Sequence, residues 1–490
     1  MMTGRLRASW TRAPRVARNV AASSLVAGVT LLVLAAFAPL PAFTAATAIA
    51  LLLTVVWRPG WALVVLFAVV PFNVAFFAFL GGRAGISTGP LSNWKDALLA
   101  AVVLRALVEA IRQRGLGLPR PAMDRYLIGY VLASCVLASM SPNRVPAGYG
   151  LARLVEGPLL FLAIVALRPS RTTIMACIYS MVAAATILSI TAIIERGPRE
   201  RFLTWYGAPL PLFNSSFYTG DNGTGYRSGS FFDSPLLLAF YLAGVVPLTI
   251  ALAAASRRWR RLALVAVIAV SSAAMVVTFT RSGYIGLAVA TVAVVAMTIR
   301  HHLTRVVLIC MVLIVSMGVL LSVATGANST LTRTGENVGH IGSPLDDLSL
   351  IAQQPLGYGI GSSDAVRFRF NLTDISHASE NNYLARGLEG GIAGLLLYMV
   401  LIFVLLMRLR SEWVVAHRRG DQQSAAVLAG ALGALLGIAT AGLFLGTFEL
   451  VTEEVIWGSA ALAIVLSRRN LEEHDVAATP RQSLRPMTSS

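Results

Sequence analysis

Three polar segments interrupt a very hydrophobic chain and carry the residues best suited to chemistry. The first, Thr280-Arg281-Ser282-Gly283, places an arginine in a turn between two long apolar runs. The second contains Arg227, and the third contains His377 and Glu380. A guanidinium group donates two parallel hydrogen bonds from a permanent charge, so it suits a diphosphate, and a histidine can accept a proton near neutral pH. Together these segments indicate chemistry on a phosphate-bearing lipid.

Each arginine also has a plainer interpretation. Arg281 could anchor its helix at lipid headgroups, and Arg227 could be a solvated loop residue. Two observations argue against anchoring. Arg281 lies at the outer ends of its two spans, whereas positive residues prefer loops on the inner side of the membrane. Gly283 follows it and has no side chain, so another group can approach the backbone closely there. Other outer arginines, including Arg333, have equal claims by spacing alone. The sequence therefore indicates a basic outer surface more firmly than the identity of each ligand.

The third segment offers His377 as a candidate general base. If a helix begins at Ser376 or His377, then Glu380 and Asn381 follow at i+3 and i+4 and share its face. Glu380 could then orient the imidazole, leaving the other ring nitrogen to accept a proton from a sugar hydroxyl. The alternative is a loop histidine beside a capping residue. His340, in a Gly-flanked turn, is a rival for the same role.

Metal and cofactor chemistry have little support in the sequence. Asp346 and Asp347 are adjacent and could be taken for a metal-binding pair. Acidic residues in the first turn of a helix are favoured by the helix dipole, however, and no third ligand is evident nearby. The three cysteines, Cys135, Cys177 and Cys310, fall inside predicted spans without metal-ligand spacing, so we expect buried structural thiols. The sequence predicts no metal and no cofactor.

The elements that must position these residues are membrane-spanning helices. The chain has 490 residues, 56% of them hydrophobic and 13% charged, with a mean hydropathy of +0.71. Its apolar runs reach the roughly 17 to 25 residues needed to cross a bilayer. An all-α polytopic bundle of about 12 to 14 spans follows, and the fourteen candidate spans are 20–38, 42–57, 61–80, 94–111, 126–140, 151–167, 172–194, 235–255, 262–279, 283–299, 306–324, 385–407, 424–447 and 451–466.

Charge sets the predicted topology. The net charge of +17 comes almost wholly from arginines in short loops between spans, which favours positive-inside orientation in a lipid bilayer over nucleic-acid binding. An even number of spans puts both termini in the cytoplasm. The arginine-rich start resembles a signal peptide, but its apolar run is long and more spans follow, so we expect a retained first helix. A multi-pass protein of the plasma (inner) membrane is predicted.

This topology divides the chain into three regions. Residues 1–19 form a basic cytoplasmic N-terminus, residues 20–469 form the helical domain, and residues 470–490 form a disordered cytoplasmic tail. Two long loops, 195–234 and 325–384, lie outside, and loops of that length are usually functional. The second should contain a helix that is capped by Ser343 and has Pro344 at its first helical position. Its apolar side would lie on the membrane or roof a cavity, and it is formed by Leu345, Leu348, Ile351 and Ala352.

Four motifs in this order resemble the bacterial O-antigen ligase and O-antigen polymerase family of membrane glycosyltransferases. They are the arginine turn 280–283, the segment 227–229 before a Phe-rich helix start, the Gly-rich segment Gln354-Pro355-Leu356-Gly357-Tyr358-Gly359-Ile360-Gly361, and the pair Glu380-Asn381-Asn382-Tyr383-Leu384 and Glu389-Gly390-Gly391-Ile392-Ala393-Gly394. The likeness covers roughly residues 195–407. It departs from the family at one point, because ligases carry histidine directly before the asparagine, where this chain has Glu380.

The resemblance implies a GT-C-like membrane fold and a metal-independent reaction. In this family a glycan passes from a polyprenyl diphosphate carrier to a hydroxyl acceptor, which is itself a glycan or a lipid-linked glycan, on the outer side of the membrane. Carried across, Arg227 and Arg281 would hold the diphosphate, and His377 or Glu380 would be the base. The departure at Glu380 favours a polysaccharide polymerase over a ligase.

The alternative from another class is a transporter or a flippase for lipid-linked glycans. Such a protein needs ionisable residues within the membrane as coupling or substrate sites. Several acidic residues within or beside predicted spans keep it open: Asp96, Glu109, Glu156, Glu449, Glu453 and Glu454. Most titratable groups nevertheless gather in the outer loops, which favours surface chemistry.

Overall fold

The computed structural model describes residues 55, 57–76, 94–112, 121–195, 227–232, 234–299, 306, 334–363, 366, 370, 379, 381–444 and 450–478. The predicted span 20–38 and nearly all of 42–57 and 306–324 lie outside these residues. So do Cys310, Arg333, His377 and Glu380. Every secondary-structure element of the described part is helical. The all-α class is therefore confirmed.

The helices follow in chain order. They are α1 (Pro59–Val69, continued by a 3-10 turn Val70–Phe72), α2 (Trp94–Arg112), α3 (Pro121–Ser139), α4 (Arg144–Leu167), α5 (Arg171–Glu195), α6 (Pro235–Ala254), α7 (Arg258–Val277), α8 (Arg281–Thr298), α9 (Thr334–Gln353), α10 (Asn382–Arg418), α11 (Gln422–Ala441), α12 (Leu450–Glu453) and α13 (Ser459–Ala478). One π-helical turn, Glu454–Gly458, joins α12 to α13.

Eight of the described helices are long and apolar enough to cross a membrane, namely α1 with its extension to Phe76, α4 to α8, α10 and α11. A multi-pass membrane protein follows. The helix α2 forms as predicted, but its 19 residues include the charged residues Lys95, Asp96, Arg105, Glu109 and Arg112, and Arg105 and Glu109 pair at 2.8 Å. The predicted total of 12 to 14 spans includes segments beyond the described residues.

The centre of the bundle is formed by α6 and α11, in which 89% and 83% of the most apolar stretch is buried. Small residues allow the neighbouring helices to pack closely against α6 and α11. Gly286 of α8 and Gly437 of α11 face each other so closely that a Cβ on Gly437 would lie 2.7 Å from the Gly286 carbonyl oxygen. Close backbone contact of this kind drives helix association in membranes, where lipid is as apolar as the side chains.

This crossing gives a stability prediction. Replacing Gly437 with alanine is expected to lower the thermal unfolding midpoint of the detergent-solubilised protein, because the new methyl group also meets Ala290 Cβ at 2.8 Å and overpacking costs about 1–3 kcal/mol. Gly129→Ala is the control, since a Cβ there meets no atom within 4 Å. Equal midpoints for the two variants would contradict the close crossing of α8 and α11.

The two ends of the bundle differ in charge. At one end, which we call the basic end, Arg171 bonds Gln423, Arg469 bonds the carbonyl of Arg168, and Arg468 lies 3.6 Å from Glu412. The α6–α7 connection, with Arg257, Arg258, Arg260 and Arg261, lies at the same end by the length of its helices. The opposite end, which we call the turn end, carries Arg227, the α7–α8 turn and the start of α10. Among the described residues, arginines therefore concentrate at the basic end.

Several expectations about α9 were wrong. The helix α9 begins at Thr334, so Ser343 does not cap it, Pro344 lies inside it, and His340 is helical rather than in a turn. Glycines at 335, 339 and 342 have low helix propensity, which hid its first turns. Its apolar side is split, with Ile351 buried and Leu345 and Leu348 exposed.

Two further corrections concern a cysteine and the tail. Cys135 is exposed on the surface of α3, whereas Cys177 is buried as expected. The last helix runs to Ala478, past the boundary at 470 that we predicted from polarity, and residues 479–490 lie outside the described part. A polar composition does not stop a helix that is already nucleated by the apolar turns before it.

Candidate functional site

The two arginine segments, which are about fifty residues apart in sequence, lie together at the turn end. Arg227 donates from Nε to the carbonyl of Thr278 at 3.1 Å and from Nη2 to the hydroxyl of Thr280 at 3.1 Å. Backbone joins them as well, since Ser228 N donates to the Val277 carbonyl at 3.0 Å. Arg227 is therefore fixed on the turn that leads directly into Arg281.

Arg281 is the first residue of α8, and Thr280 is its N-cap. The N-terminus of a helix presents unpaired N–H groups and a positive dipole end, which favour an anion. The Thr280 side chain does not cap this helix and instead accepts the bond from Arg227. Gly283 brings α8 against α6, where a Cβ would meet Ala239 at 2.7 Å. One helix start thus combines two guanidinium groups with an anion-favouring dipole.

Both segments hold a non-glycine residue in the left-handed region. Ser230 has a φ of 56° and Phe279 a φ of 49°. Such conformations cost about 1–3 kcal/mol and persist where the surroundings impose them, often at functional sites. Here the constraint on Ser230 comes from Glu195, a 2% exposed carboxylate at the end of α5 that accepts the Ser230 N–H at 2.8 Å. Glu195 was not among the predicted site residues.

The helix α6 begins directly after the Arg227 segment. Ser234 caps it by accepting the Leu236 N–H at 3.2 Å, and Pro235 occupies the first helical position. The cap fixes the direction in which the chain leaves the Arg227 segment.

The Gly-rich segment 354–361 pairs with the glycine motif of α10. Tyr358 N donates to the Leu388 carbonyl at 2.7 Å, Gly359 N to the Glu389 carbonyl at 3.1 Å, and Ile392 N to the Pro355 carbonyl at 3.0 Å. The helix is broken at this point, because Gly391 has φ 65° and ψ −160°. In a continuous helix these backbone groups of α10 would hydrogen-bond within the helix. Here they bond to the Gly-rich segment instead, so the two motifs form one structural unit.

The same segment also packs on the start of α4. Ile360 N donates to Ser141 Oγ at 2.8 Å, and Gly361 N donates to Glu389 Oε1 at 3.2 Å. Gly361 has a φ of 83°, and a Cβ on Gly150 would lie 2.8 Å from the Gly361 Cα. Only glycine fits at positions 150 and 361. The glycines of the segment are therefore required by its contacts with α4 and α10.

Asn381 has a structural role as the N-cap of α10. Its Oδ1 accepts the N–H groups of Tyr383 and Leu384 at 2.9 and 3.1 Å, and its Nδ2 donates to the Leu443 carbonyl at 2.9 Å. The helix therefore begins at Asn382 and not at Ser376 or His377, so the predicted helical face shared by the third segment is wrong. Asparagine favours a cap over a helix interior, which explains the boundary.

Asp347 holds α9 against the residues before α10. It is 0% exposed, and its Oδ2 accepts a hydrogen bond from Ser379 Oγ at 2.7 Å. Because α9 starts at Thr334, Asp347 lies beyond its first turn, and the helix-dipole explanation was wrong for it. Asp347 fixes the chain two residues before Asn381, next to the segment that holds both base candidates.

The end of α11 connects the two halves of the site. Asn382 N donates to the Gly442 carbonyl at 2.9 Å, and Tyr383 OH donates to the Ala439 carbonyl at 2.9 Å. On its other side, Ala441 is adjacent to Gly286 of α8, where a Cβ would meet it at 3.0 Å. The arginine turn and the start of α10 therefore lie at the same end of the bundle, on two helices that both pack against α11.

Within the described residues, no group of three or more His, Cys, Asp or Glu side chains could hold a metal ion. Comparison with known protein families finds no match, and a search of curated proteins finds none either. Function is therefore inferred from the side chains and their contacts.

Proposed function

We propose that the protein is a metal-independent membrane glycosyltransferase that transfers or polymerises glycans from a polyprenyl diphosphate donor, outside the plasma membrane. The observation that carries the proposal is the position of Arg227 on the turn before Arg281. Two guanidinium groups at one helix start suit a diphosphate better than a single charge does. The likeness of the four motifs to O-antigen ligases and polymerases adds support, since they lie in two contacting pairs.

In the proposed reaction, an acceptor hydroxyl oxygen attacks the anomeric carbon of the donor sugar. The bond between that carbon and the diphosphate oxygen breaks, and polyprenyl diphosphate leaves with the electron pair. A base takes the hydroxyl proton, and Arg227 and Arg281 stabilise the charge that grows on the leaving group. Charged groups that already point at the developing charge lower the activation barrier, because they need not reorganise during the reaction. A turn that is held by three hydrogen bonds keeps Arg227 in place in this way.

The proposed topology places the turn end outside and the basic end in the cytoplasm. The arginines at 168, 171, 468 and 469 then follow the positive-inside rule, and the termini are cytoplasmic. Labelling of single cysteines introduced near Arg227 and near Arg468 with a membrane-impermeant reagent tests this orientation. The proposal expects labelling of intact cells at the first position alone.

A reconstituted assay tests the reaction itself. The purified chain in liposomes, given a polyprenyl diphosphate glycan, is expected to form longer glycans and release polyprenyl diphosphate in equal amounts. The alternative, a flippase, is favoured by the burial of Lys95 and Glu454 in the bundle. It predicts movement of the intact donor between leaflets without release of polyprenyl diphosphate, so one measurement distinguishes the two.

The two base candidates can be separated by substitution. If His377 is the base, His377→Ala lowers turnover by about 10²- to 10⁴-fold, the usual contribution of a general base, while Glu380→Gln retains most of it. If Glu380 is the base, the order is reversed. Ligases carry a histidine at the position of Glu380, so comparing the two variants shows which residue of this chain takes that role. Retention of full turnover by both single variants would remove this segment from the chemistry.

A further inference from the structure

The residues after Arg227 form a tight turn whose conformation is unusual for its sequence. Phe232 N donates to the Gly229 carbonyl at 3.1 Å and closes the turn. Ser230 is the first central residue of this turn, and its φ is 56°. Turns with a positive φ at this position usually have glycine there, because a side chain disfavours that region. A serine in this place therefore needs support from outside the turn.

The end of α5 gives this support at two points. Ser230 N donates to Glu195 Oε2 at 2.8 Å, and the Ser230 hydroxyl is hydrogen-bonded to the hydroxyl of Thr191. The Thr191 hydroxyl also lies 2.9 Å from the Ile187 carbonyl, so it can donate to that carbonyl and accept from Ser230. Thr191 and Glu195 are four residues apart on one helix, so they share a face of α5. Both the N–H and the hydroxyl of Ser230 are thus bound by α5, and glycine would lack the second bond.

The bond between Glu195 and Ser230 is shielded from water, since the two residues are 2% and 3% exposed. A hydrogen bond to a carboxylate is stronger than one between neutral groups, and a buried donor that loses its acceptor is costly. Without the carboxylate, the strain at Ser230 would be left unsupported and its buried N–H would lose its acceptor. The turn should then relax to another conformation.

Arg227 is coupled to this turn through a short stretch of backbone. Ser228 lies between them, is 0% exposed, and donates from its N–H to the Val277 carbonyl at 3.0 Å. The stretch is therefore anchored on α7 at Ser228 and on α5 at Ser230, with one residue between the anchors. A change at Ser230 alters the path of the chain that places the Arg227 guanidinium on the arginine turn.

We propose that Glu195 is a positioning residue for the diphosphate, because its carboxylate holds Ser230 in the left-handed conformation and thereby keeps Arg227 aligned with Arg281. The proposal rests on the proposed function, in which Arg227 is a diphosphate ligand. It adds a residue of α5 that acts through Ser230 and not through contact with the substrate.

Two substitutions of Glu195 separate the reach of the side chain from its charge. Glu195→Gln keeps the length and an acceptor oxygen, whereas Glu195→Asp keeps the charge on a side chain that is one methylene shorter. Binding of inorganic diphosphate to the purified full-length protein in nanodiscs is measured by calorimetry. Glu195→Asp should weaken binding roughly tenfold, and Glu195→Gln should retain most of the affinity. The reverse order, or equal losses in both variants, would overturn the positioning role in favour of a charge effect.

A buried hydrogen bond elsewhere on α5 provides the matched control. Ser189 Oγ donates to Ser271 Oγ at 3.1 Å, and both residues are at most 1% exposed. Ser189→Ala removes this link between α5 and α7 without touching the Arg227 segment. It should lower the thermal unfolding midpoint and leave diphosphate affinity unchanged. A loss of affinity as large as that of Glu195→Asp would show that any weakening of α5 has the same effect, and the specific role of Glu195 would fall.

Ser230→Gly tests the route of the effect. Glycine adopts the left-handed conformation without strain, so the turn should depend less on Glu195 in this background. Glu195→Asp should then weaken diphosphate binding by less than it does in the wild-type background, because the two sites are coupled. Equal losses in the two backgrounds would contradict action through Ser230.

The transfer assay keeps this proposal distinct from the proposed function. If Glu195→Asp binds diphosphate as wild type does while Arg227→Ala does not, the positioning role is overturned and the proposed function stands. If diphosphate binding depends on Glu195 as expected but the wild-type protein releases no polyprenyl diphosphate from the donor, the positioning role stands and the proposed function fails. A wild-type protein that binds no diphosphate overturns the positioning role.

Discussion

Arg281→Ala is expected to insert normally in the membrane and to lose nearly all polymer formation, with polyprenyl-linked glycan accumulating. A bidentate contact contains two charge-assisted hydrogen bonds, each worth about 1.5–3 kcal/mol, so its loss slows transfer by roughly 10²- to 10⁴-fold. Arg281→Lys keeps the charge but loses the planar fork, so it should recover only part of the rate. The measurements are polymer length on gels and the amount of lipid-linked precursor in cells that depend on the variant.

Arg144→Ala is the matched control, because Arg144 is exposed at the start of α4 and belongs to the same end of the bundle. It should leave polymer unchanged. Arg227→Ala should resemble Arg281→Ala and add little to it in a double variant, since residues that act as one unit are not additive. Normal polymer from Arg281→Ala, at normal expression, would remove this residue from the site and the main support from the proposed function.

Gly361→Ala is expected to destabilise the protein and abolish activity together. The residue has a φ of 83°, and a Cβ would run into the carbonyl of Pro146, which belongs to backbone and cannot rotate away. Strain and overpacking together cost more than about 3 kcal/mol. The thermal unfolding midpoint and the recovery of folded protein by size-exclusion chromatography measure the loss.

Two glycines on α4 provide a matched pair for the same contact. Gly150→Ala adds a Cβ 2.8 Å from the Gly361 backbone, whereas Gly148→Ala, two residues earlier on the same helix, adds a Cβ with no atom within 4 Å. The first should lower the unfolding midpoint, and the second should raise it slightly, because alanine is favoured over glycine in a helix by about 1 kcal/mol. An unchanged midpoint for Gly150→Ala would show that the Gly-rich segment does not pack on α4.

The helices were predictable because their signal is local. Runs such as 235–255 and 262–279 are apolar over a full span, and the structure has helices at Pro235–Ala254 and Arg258–Val277. The start of α6 was predictable too, since Ser234 and Pro235 form a cap signal within two residues. Local signals failed in two places. In α9, glycines of low helix propensity hid the first turns of the helix. At Asn381, a residue that caps a helix was interpreted as part of a helical face.

Contacts across the bundle were not predictable from spacing. The sequence indicated that Arg227 and Arg281 could act together, but the hydrogen bonds from Arg227 to Thr278 and Thr280 depend on how α7 and α8 pack. Glu195, Asp347 and Glu389 were missed as partners because each carboxylate bonds a group that is distant in sequence or on another element. A buried acidic residue at the end of an apolar run, as in Glu195, is the signal that could have drawn attention to one of them.

The break in α10 at Gly391 has a consequence for biogenesis. The Gly-rich segment leaves the ribosome before α10 does, yet its partners are the carbonyls of Leu388 and Glu389 and the N–H of Ile392. It cannot dock until α10 has been released into the membrane, and Asn382 in turn requires the Gly442 carbonyl at the end of α11. This end of the protein is therefore completed only after nearly the whole chain has been translated, so truncated chains that stop before α11 would insert their spans without assembling the site.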